Sequence, residues 1–111
     1  MEESQALSAL AALSQETRLR IIRFLVQRGP EGASAGDIAE AMDSAASKVS
    51  FHLSNLERAG LILSQRQSRK IIYSTDYNHL GGVIKYLLID CCNNHPDILA
   101  CCDPSVDKIC C

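Results

Sequence analysis

Six cysteines occur as three adjacent pairs near the end of this 111-residue chain. The pairs are Cys91-Cys92, Cys101-Cys102 and Cys110-Cys111. A secreted disulfide framework spreads its cysteines over the whole fold, whereas no cysteine here precedes residue 91. Neighbouring cysteines also bridge poorly, because adjacent Cα atoms are about 3.8 Å apart and a disulfide prefers about 5.5 Å. We therefore expect reduced thiols that are available for soft-metal or redox chemistry.

Thiolate sulfur is a soft ligand that prefers ions such as arsenite, antimonite, Cd(II), Zn(II) or Cu(I). Cys91 and Cys92 end a predicted helix, so a third ligand must come from further along the chain. Cys101 or Cys102 can supply it after a gap of eight residues, and the last pair is assigned an accessory role. Three thiolates suit trivalent arsenic and four suit zinc, so six thiols leave the ion open. A thiol-redox or persulfide switch is a further alternative.

The positive charge of the chain is concentrated in one segment. The net charge is −2 overall, but residues 1–46 carry −3, residues 47–75 carry +4 and residues 76–111 carry −3. The basic residues of the middle segment are Lys48, Arg58, Arg66, Arg69 and Lys70. Local basic charge in an acidic chain can attract DNA phosphates, and a solvated basic hairpin is the alternative interpretation.

Helical periodicity of the apolar residues predicts about five helices. Two β-like stretches separated by a polar turn precede the fifth helix and predict a hairpin. The predicted elements are a helix through Leu7, Leu10 and Leu13, helices at Ser14–Arg28, Ser34–Met42 and Ala45–Arg58, strands at Leu61–Gln65 and Lys70–Thr75, and a helix at Tyr77–Cys91. We expect residues 1–92 to form one mainly α domain with a β-hairpin wing (α+β). Residues 93–111 show little periodicity and are expected to form an irregular, flexible, cysteine-rich tail.

Large apolar residues predict which faces of the first two helices are buried. The first helix is expected to carry its three leucines as one apolar stripe, and the second is expected to bury Leu19, Ile22, Leu25 and Val26 after an N-cap at Ser14. Apolar helices at opposite ends of a small chain leave surface that one domain covers poorly. This favours a homodimer through the first and last helices over packing within one chain.

Two helices joined by a tight turn and followed by a basic hairpin predict a winged helix-turn-helix. The second helix of such a motif enters the major groove, and a hairpin wing contacts the backbone or the minor groove. Asp43-Ser44 forms the predicted turn and a candidate N-cap. The candidate DNA-binding residues are Ser44, Ser47, Lys48, Ser50, His52, Arg66, Arg69 and Lys70. The alternative is that the serines are helix caps and that His52 is packed.

Two stretches resemble the arsenic-repressor (ArsR/SmtB) family of bacterial transcriptional repressors. They read L-S-Q-E-T-R-L-R-I-I at residues 13–22 and S-K-V-S-F-H-L-S-N-L-E-R-A-G-L at residues 47–61. The run R-K-I-I-Y-S at residues 69–74 resembles the family's wing, and the resemblance covers roughly residues 5–90. It implies a homodimer that binds double-stranded operator DNA without inducer and releases it when the inducer binds.

Family patterns also bear on the inducer. Members that sense through the third helix carry cysteines there, and residues 34–39 contain none. Members that bind zinc across the fifth helices use D-x-H…H-x-x-[EH], whereas here Tyr77 precedes His79 by two and Asp90 stands where the second histidine would fall. The chain resembles members with a cysteine pair at the end of the fifth helix, which respond to As(III) and Sb(III). Its CC-x8-CC-x7-CC spacing departs from their shorter gap, so the third ligand stays open.

Several other classes of protein are not expected. The chain has no C-x-x-C, glycine-rich phosphate loop or H-E-x-x-H motif, so we do not expect an enzyme. The acidic N-terminus and the lack of an apolar run of about 20 residues favour a soluble, cytoplasmic protein without a membrane partner. A metal-storage module, or a DNA-binding protein without an effector, are the rival functions.

Overall fold

The computed structural model describes residues 1–102, which form α-helices and a small antiparallel sheet. The helices are α1 (Glu3–Leu13), α2 (Glu16–Arg28), α3 (Ala35–Met42), α4 (Ala46–Arg58), α5 (Tyr77–Tyr86) and α6 (Pro96–Cys101). The strands are β1 (Ala33–Ser34), β2 (Ile62–Gln67) and β3 (Lys70–Thr75). This arrangement confirms the predicted winged helix-turn-helix, with one helix and one short strand more than the sequence predicted.

An aliphatic core holds α2, α3, α4 and the base of the sheet together. Its largest fully buried side chains are Ile21, Leu25, Ile38, Val49, Leu53, Leu56, Leu61, Ile62 and Val83. Burial of each such side chain stabilises the fold by about 1.5–3 kcal/mol relative to exposure, as an upper estimate. The core therefore fixes the position of α4, which contributes three of these residues.

The turn of the helix-turn-helix is short and strained at one residue. The Oγ of Ser34 accepts a hydrogen bond from the backbone N–H of Asp37 and caps α3. The helix ends at Asp43, which adopts a left-handed conformation with φ 51°. The N-cap of α4 is Ala45, so the predicted capping role of Asp43 or Ser44 is wrong. The Ser44 hydroxyl instead donates to the carbonyl of Met42.

The wing is a tight hairpin of β2 and β3, and β3 also pairs with β1, so it is the central strand of the order β1-β3-β2. Pairing of Gln67 with Lys70 leaves a two-residue turn at Ser68-Arg69, shorter than the predicted turn of residues 66–69. Strand β1 has two residues, which is too short to give a periodic signal. Gly32 precedes it at φ 66°, and a Cβ there would collide with the carbonyl oxygen of Tyr73.

The first two helices bury different residues from those predicted. Helix α1 buries Ala6, Ala9 and Ala12, while Leu7 is 58% exposed, because small alanines allow α1 to approach its neighbours closely. The leucines at 10 and 13 are partly buried. The apolar stripe of α1 is therefore only partly covered within the single chain.

The buried residues of α2 also differ in part from the prediction. Leu19 is 55% exposed and Val26 is also exposed, whereas Ile21 is fully buried beside the predicted Ile22 and Leu25. The N-cap is Gln15, whose side chain accepts from the backbone N–H of Arg18, so the predicted Ser14 cap is wrong.

The last helices depart from the predicted single helix followed by an irregular tail. Helix α5 continues as a π-helical turn at Leu87–Cys91, and two residues with positive φ, Asn93 and Asn94, then redirect the chain. Pro96–Cys101 is helical, so the expectation of an irregular segment is wrong there, and residues 103–111 lie outside the described part. Within residues 1–102 no helix has the length and apolar character needed to cross a bilayer.

Candidate nucleic-acid interface and cysteine site

Helix α4 has two opposite faces of different chemistry. Its buried face consists of Val49, His52, Leu53 and Leu56, which pack into the core. Its outward face follows the same helical spacing and consists of the exposed residues Ser47, Ser50, Phe51 and Ser54. Lys48 is exposed beside this face. The core thus holds α4 from behind and presents a polar surface with one aromatic ring to solvent.

The N-terminus of α4 has unpaired backbone N–H groups. Its N-cap residue Ala45 makes no side-chain cap, and its first turn contains no acidic residue. The first N–H groups of a helix lack partners within the helix and carry a partial positive charge. The N–H groups at this end of α4 can therefore donate hydrogen bonds to a phosphate oxygen, and Ser47 and Lys48 lie beside them.

The wing carries three exposed basic side chains, Arg66, Arg69 and Lys70. None of them, nor Lys48, forms an ion pair with another residue in the described part of the chain. Glu57, the acid within the basic segment 47–75, accepts a hydrogen bond of 2.6 Å from the Ser64 hydroxyl, which ties α4 to β2. Four cations on α4 and the wing are therefore free to meet an anionic partner.

His52 does not lie on the exposed face of α4 where the sequence analysis placed it. Only 5% of the residue is exposed, since it faces the core side of the helix between Val49 and Leu56. The prediction that His52 contacts DNA from an exposed face is corrected, and the alternative of a packed histidine fits the structure. The serines and cations named with it lie on the surface, except Ser44, which is partly buried.

The environment of His52 defines its charge and its tautomer. Burial, followed by the positive charges of Arg18 and Lys48, lowers the pKa of His52 below its ordinary value of 6.5. The Arg18 Nη1 lies 3.4 Å from Nδ1 of the ring, and guanidinium groups only donate. Nδ1 is therefore the acceptor, and Nε2 carries the hydrogen and is buried without a partner in the described residues.

Arg18 connects this histidine to the first helix. Its Nε donates a hydrogen bond of 2.6 Å to the carbonyl oxygen of Ala12, near the end of α1. The Phe51 ring meets the His52 ring edge-on, with centroids 5.7 Å apart. A continuous chain of contacts thus runs from α1 through Arg18 and His52 to the outward face of α4.

The cysteines lie at the opposite end of the chain from these groups. Cys91 and Cys102 are exposed and Cys92 is partly buried, and all three are free thiols. Cys101 is the last residue of α6 and is partly buried. Cys110 and Cys111 lie outside the described residues. Between residues 1 and 102, no three His, Cys, Asp or Glu side chains are grouped as a metal site.

The pair Cys91-Cys92 lies beside an exposed apolar surface on the first and last long helices, α1 and α5. Helix α5 packs against α1, and Leu7, Ile84 and Ile89 on these elements are exposed. Burial, followed by the negative charges of Glu3 and Cys91, raises the pKa of Tyr86. Glu3 in the first turn of α1 and Cys91 at the end of the π-helical turn therefore both raise the pKa of the Tyr86 phenol.

Phe51 and Ser54 also lie on the outward face of α4, but they were not among the predicted DNA-binding residues. The spacing carries a signal for them, because positions 47, 50, 51 and 54 alternate with the apolar positions 49, 53 and 56. Selection by hydrogen-bonding type alone passes over an aromatic side chain.

Comparison with known proteins agrees with this geometry. The model of a family described as a helix-turn-helix domain matches residues 13–65. The chain is 36% identical over 83 residues to the HTH-type transcriptional regulator YgaV of Escherichia coli K12, covering 75% of this chain and 82% of YgaV. The relatives are transcriptional regulators and not enzymes.

Solved structures with the same fold include two bacterial regulators. An ArsR-like transcriptional regulator from Rhodococcus sp. RHA1 is 25% identical, with a TM-score of 0.72 over 95% of this chain and 96% of that one. The homodimeric winged helix-turn-helix domain of Mb0332 from Mycobacterium bovis is 22% identical, with a TM-score of 0.63 over 83% and 85% of the two chains. At 22% identity, the similarity to Mb0332 supports the fold alone.

Proposed function

The chain belongs to the ArsR/SmtB family of DNA-binding transcriptional regulators, and from this premise we propose that it is a dimeric repressor released from its operator by a thiophilic ion. The proposed inducer is As(III) or Sb(III), bound by C-terminal cysteine thiolates. The observation that carries the proposal is the position of Cys91 and Cys92, whose thiols are free at the end of the helix that packs on α1.

The DNA-binding part of the proposal rests on α4 and the wing. A core-anchored helix, an uncapped N-terminus and four cations free of ion pairs within the described residues form one surface that suits a phosphate backbone and a major groove. Ser47, Lys48 and Ser50 are assigned to the groove or its edge, and the basic wing residues Arg66, Arg69 and Lys70 are assigned to the backbone or minor groove. Neutralising several phosphates makes binding strongly dependent on salt.

The dimer is proposed from the apolar surface of the terminal helices. Exposed Leu7 and Ile84 on helices that pack together leave a surface suited to a second copy of the chain. The structural neighbour Mb0332 is described as homodimeric. A two-fold axis at this surface would place two recognition helices about 34 Å apart, one turn of DNA.

The thiol site is proposed to assemble when the ion binds. Cys91 and Cys92 supply two sulfur ligands, and Cys101 or Cys102 supplies the third, from the same chain or the other protomer. Three soft thiolates match the three-coordinate pyramid of trivalent arsenic. Cd(II), Zn(II) or Pb(II) as the ion, and oxidation or persulfidation of the thiols, are the alternatives that an experiment must separate.

Release follows if ion capture changes how the terminal helices pair. Those helices would set the relative position of both α4 helices, so a new arrangement moves them out of register with the groove. To change operator occupancy from 99% to 1%, the ion must favour the DNA-free arrangement by about 5.5 kcal/mol. The reciprocal effect is that DNA weakens ion binding by the same factor.

The test measures release of labelled operator DNA by fluorescence anisotropy, ion by ion, with fully reduced protein. A Cys91→Ser/Cys92→Ser variant is expected to bind DNA as the wild type does and to lose release by arsenite and antimonite. A matched Cys110→Ser/Cys111→Ser variant controls for removing two thiols and is expected to respond normally.

Each other outcome identifies a different error. Release that survives the Cys91→Ser/Cys92→Ser change places the site elsewhere. Release by Cd(II), Zn(II) or Pb(II) but not by arsenite or antimonite overturns the assignment of the ion. Release by a peroxide or persulfide but by no ion identifies a redox switch instead.

A further inference from the structure

The outward face of α4 contains one large apolar side chain among hydroxyl groups. Phe51 is 61% exposed, which makes it the most exposed large hydrophobic residue within residues 1–102. It stands one helical turn after Ser47 and between Ser50 and Ser54 on that face. A phenyl ring on this face has no apolar neighbour of its own helix to cover it.

The backbone that carries Phe51 is fixed by buried neighbours. The next two residues, His52 and Leu53, are buried on the core side of α4. The Phe51 ring meets the His52 ring edge-on, at an interplanar angle of 63°. The phenyl side chain therefore extends outward from a fixed position in the first half of α4.

We propose that Phe51 reads the 5-methyl group of a thymine in the major groove, and is thus a specificity-determining residue of the operator contact. This inference rests on the DNA-binding part of the proposed function. In the major groove the thymine methyl is the one apolar group among the base edges, which otherwise present hydrogen-bond donors and acceptors. A phenyl ring forms no such hydrogen bonds, and contact with that methyl group is the favourable use of its surface.

The serines on either side complete this interpretation. Ser47 and Ser50 can each donate or accept, so they tolerate different bases at neighbouring positions. Phe51 excludes polar base edges, since they would lose their hydration without gaining a partner. The operator is therefore expected to contain a thymine at one fixed place in each half-site, and to vary more at the positions beside it.

The size of the effect follows from the burial of one methyl group. Removing a buried methyl group weakens binding about fourfold. Because a symmetric dimer reads two half-sites, removing both methyl groups is expected to weaken binding about 15-fold. This is small beside the whole affinity and is measurable at one fixed salt concentration.

The test replaces thymine with deoxyuridine, which removes the methyl group and leaves the Watson–Crick pairing unchanged. An operator is first selected from a pool of random duplexes by the wild-type protein. Each thymine is then replaced in turn, and the dissociation constant is measured by fluorescence anisotropy with wild type and with Phe51→Ala. One thymine per half-site is expected to be sensitive with wild type and insensitive with the variant.

Leu19→Ala is the matched control, because Leu19 is 55% exposed on α2 and does not lie on the outward face of α4. It is expected to keep the full sensitivity to deoxyuridine. Size-exclusion chromatography and circular dichroism of both variants check the assembly and the fold.

Three results overturn the inference. If deoxyuridine at every position leaves wild-type binding unchanged, the protein makes no contact with a thymine methyl group. Sensitivity that persists in Phe51→Ala assigns the contact to another residue. A change in oligomeric state of Phe51→Ala, with unchanged DNA binding, assigns the ring to a protein contact. If the wild type selects no duplex at all, the DNA-binding function itself fails, which is a distinguishable outcome.

Discussion

The two ends of the molecule differ in how far the fold organises them. At the end that carries α4 and the wing, buried Val49, Leu53 and Leu56 fix α4 and present one face of it to solvent. At the cysteine-bearing end, the free thiols Cys91 and Cys102 are exposed, and no three ligand side chains within the described residues are grouped for a metal. Packing thus builds the surface that would meet DNA, whereas an ion would have to assemble the second site.

This difference predicts that core and cysteine substitutions affect different properties, and the core gives the largest effect. Leu53→Ala removes a fully buried side chain that supports α4, and it is expected to destabilise the fold by about 2–5 kcal/mol. Urea denaturation followed by circular dichroism measures it. Cys102→Ser changes an exposed residue and is expected to alter stability by less than about 0.5 kcal/mol. Similar losses for both variants would contradict the comparison.

The charge of the wing is the next test. Replacing Arg66, Arg69 and Lys70 together with alanine removes three cations free of ion pairs within the described residues. If each meets a phosphate, the slope of log K against log salt concentration is expected to become shallower by about 2.7. Anisotropy titrations over a range of salt concentrations measure that slope.

Arg23→Ala is the matched control for the wing, because Arg23 is an exposed cation on α2. Its salt dependence is expected to equal that of the wild type. An unchanged slope for the triple variant would mean that the wing does not meet DNA.

The smallest of these effects concerns His52 and the pH. The folded protein favours the neutral ring, so the pKa of His52 is lower in the folded chain than its ordinary value of 6.5. Its contribution to stability is complete above that value and is lost as the pH falls through the folded pKa. The free energy of unfolding is therefore expected to decline between neutral and mildly acidic pH more steeply in wild type than in His52→Gln.

Identical pH profiles for wild type and His52→Gln would show that the buried ring does not titrate with folding.

Strong periodicity made α3, α4 and the hairpin predictable. Val49 and Leu53 lie four residues apart in α4, and Ile38 is the apolar residue at the centre of α3. The structure buries each of them. The wing strands differ from the prediction by one or two residues at their ends, because the turn closes at Ser68 in a left-handed conformation. These elements are governed by local pattern and core burial, which a sequence shows directly.

The flanking helices were predicted less well, for a physical reason. The spacing of Leu7, Leu10 and Leu13 indicates an apolar face but not what covers it, and within the chain close packing selects Ala6 and Ala9 instead. A hydrophobic pattern cannot separate core contacts from a surface available to a second copy. Likewise His52 looked polar and exposed by residue type, whereas tertiary packing places it inside.

For the candidate site, residue type indicated the basic wing and the thiols, while geometry added Phe51 and removed His52. The ligand set could not be predicted, because six thiols at the end of the chain satisfy more than one ion and the described thiols do not form a group.

The central claim is that ion capture beside the terminal helices costs the protein its hold on DNA, and a coupled titration tests it most directly. Arsenite is added to reduced protein bound to labelled operator, and DNA anisotropy and reactive thiols are measured in the same samples. The account predicts that release tracks the loss of about three reactive thiols per protomer, at one arsenic per protomer. DNA that stays bound while the thiols are consumed would contradict it.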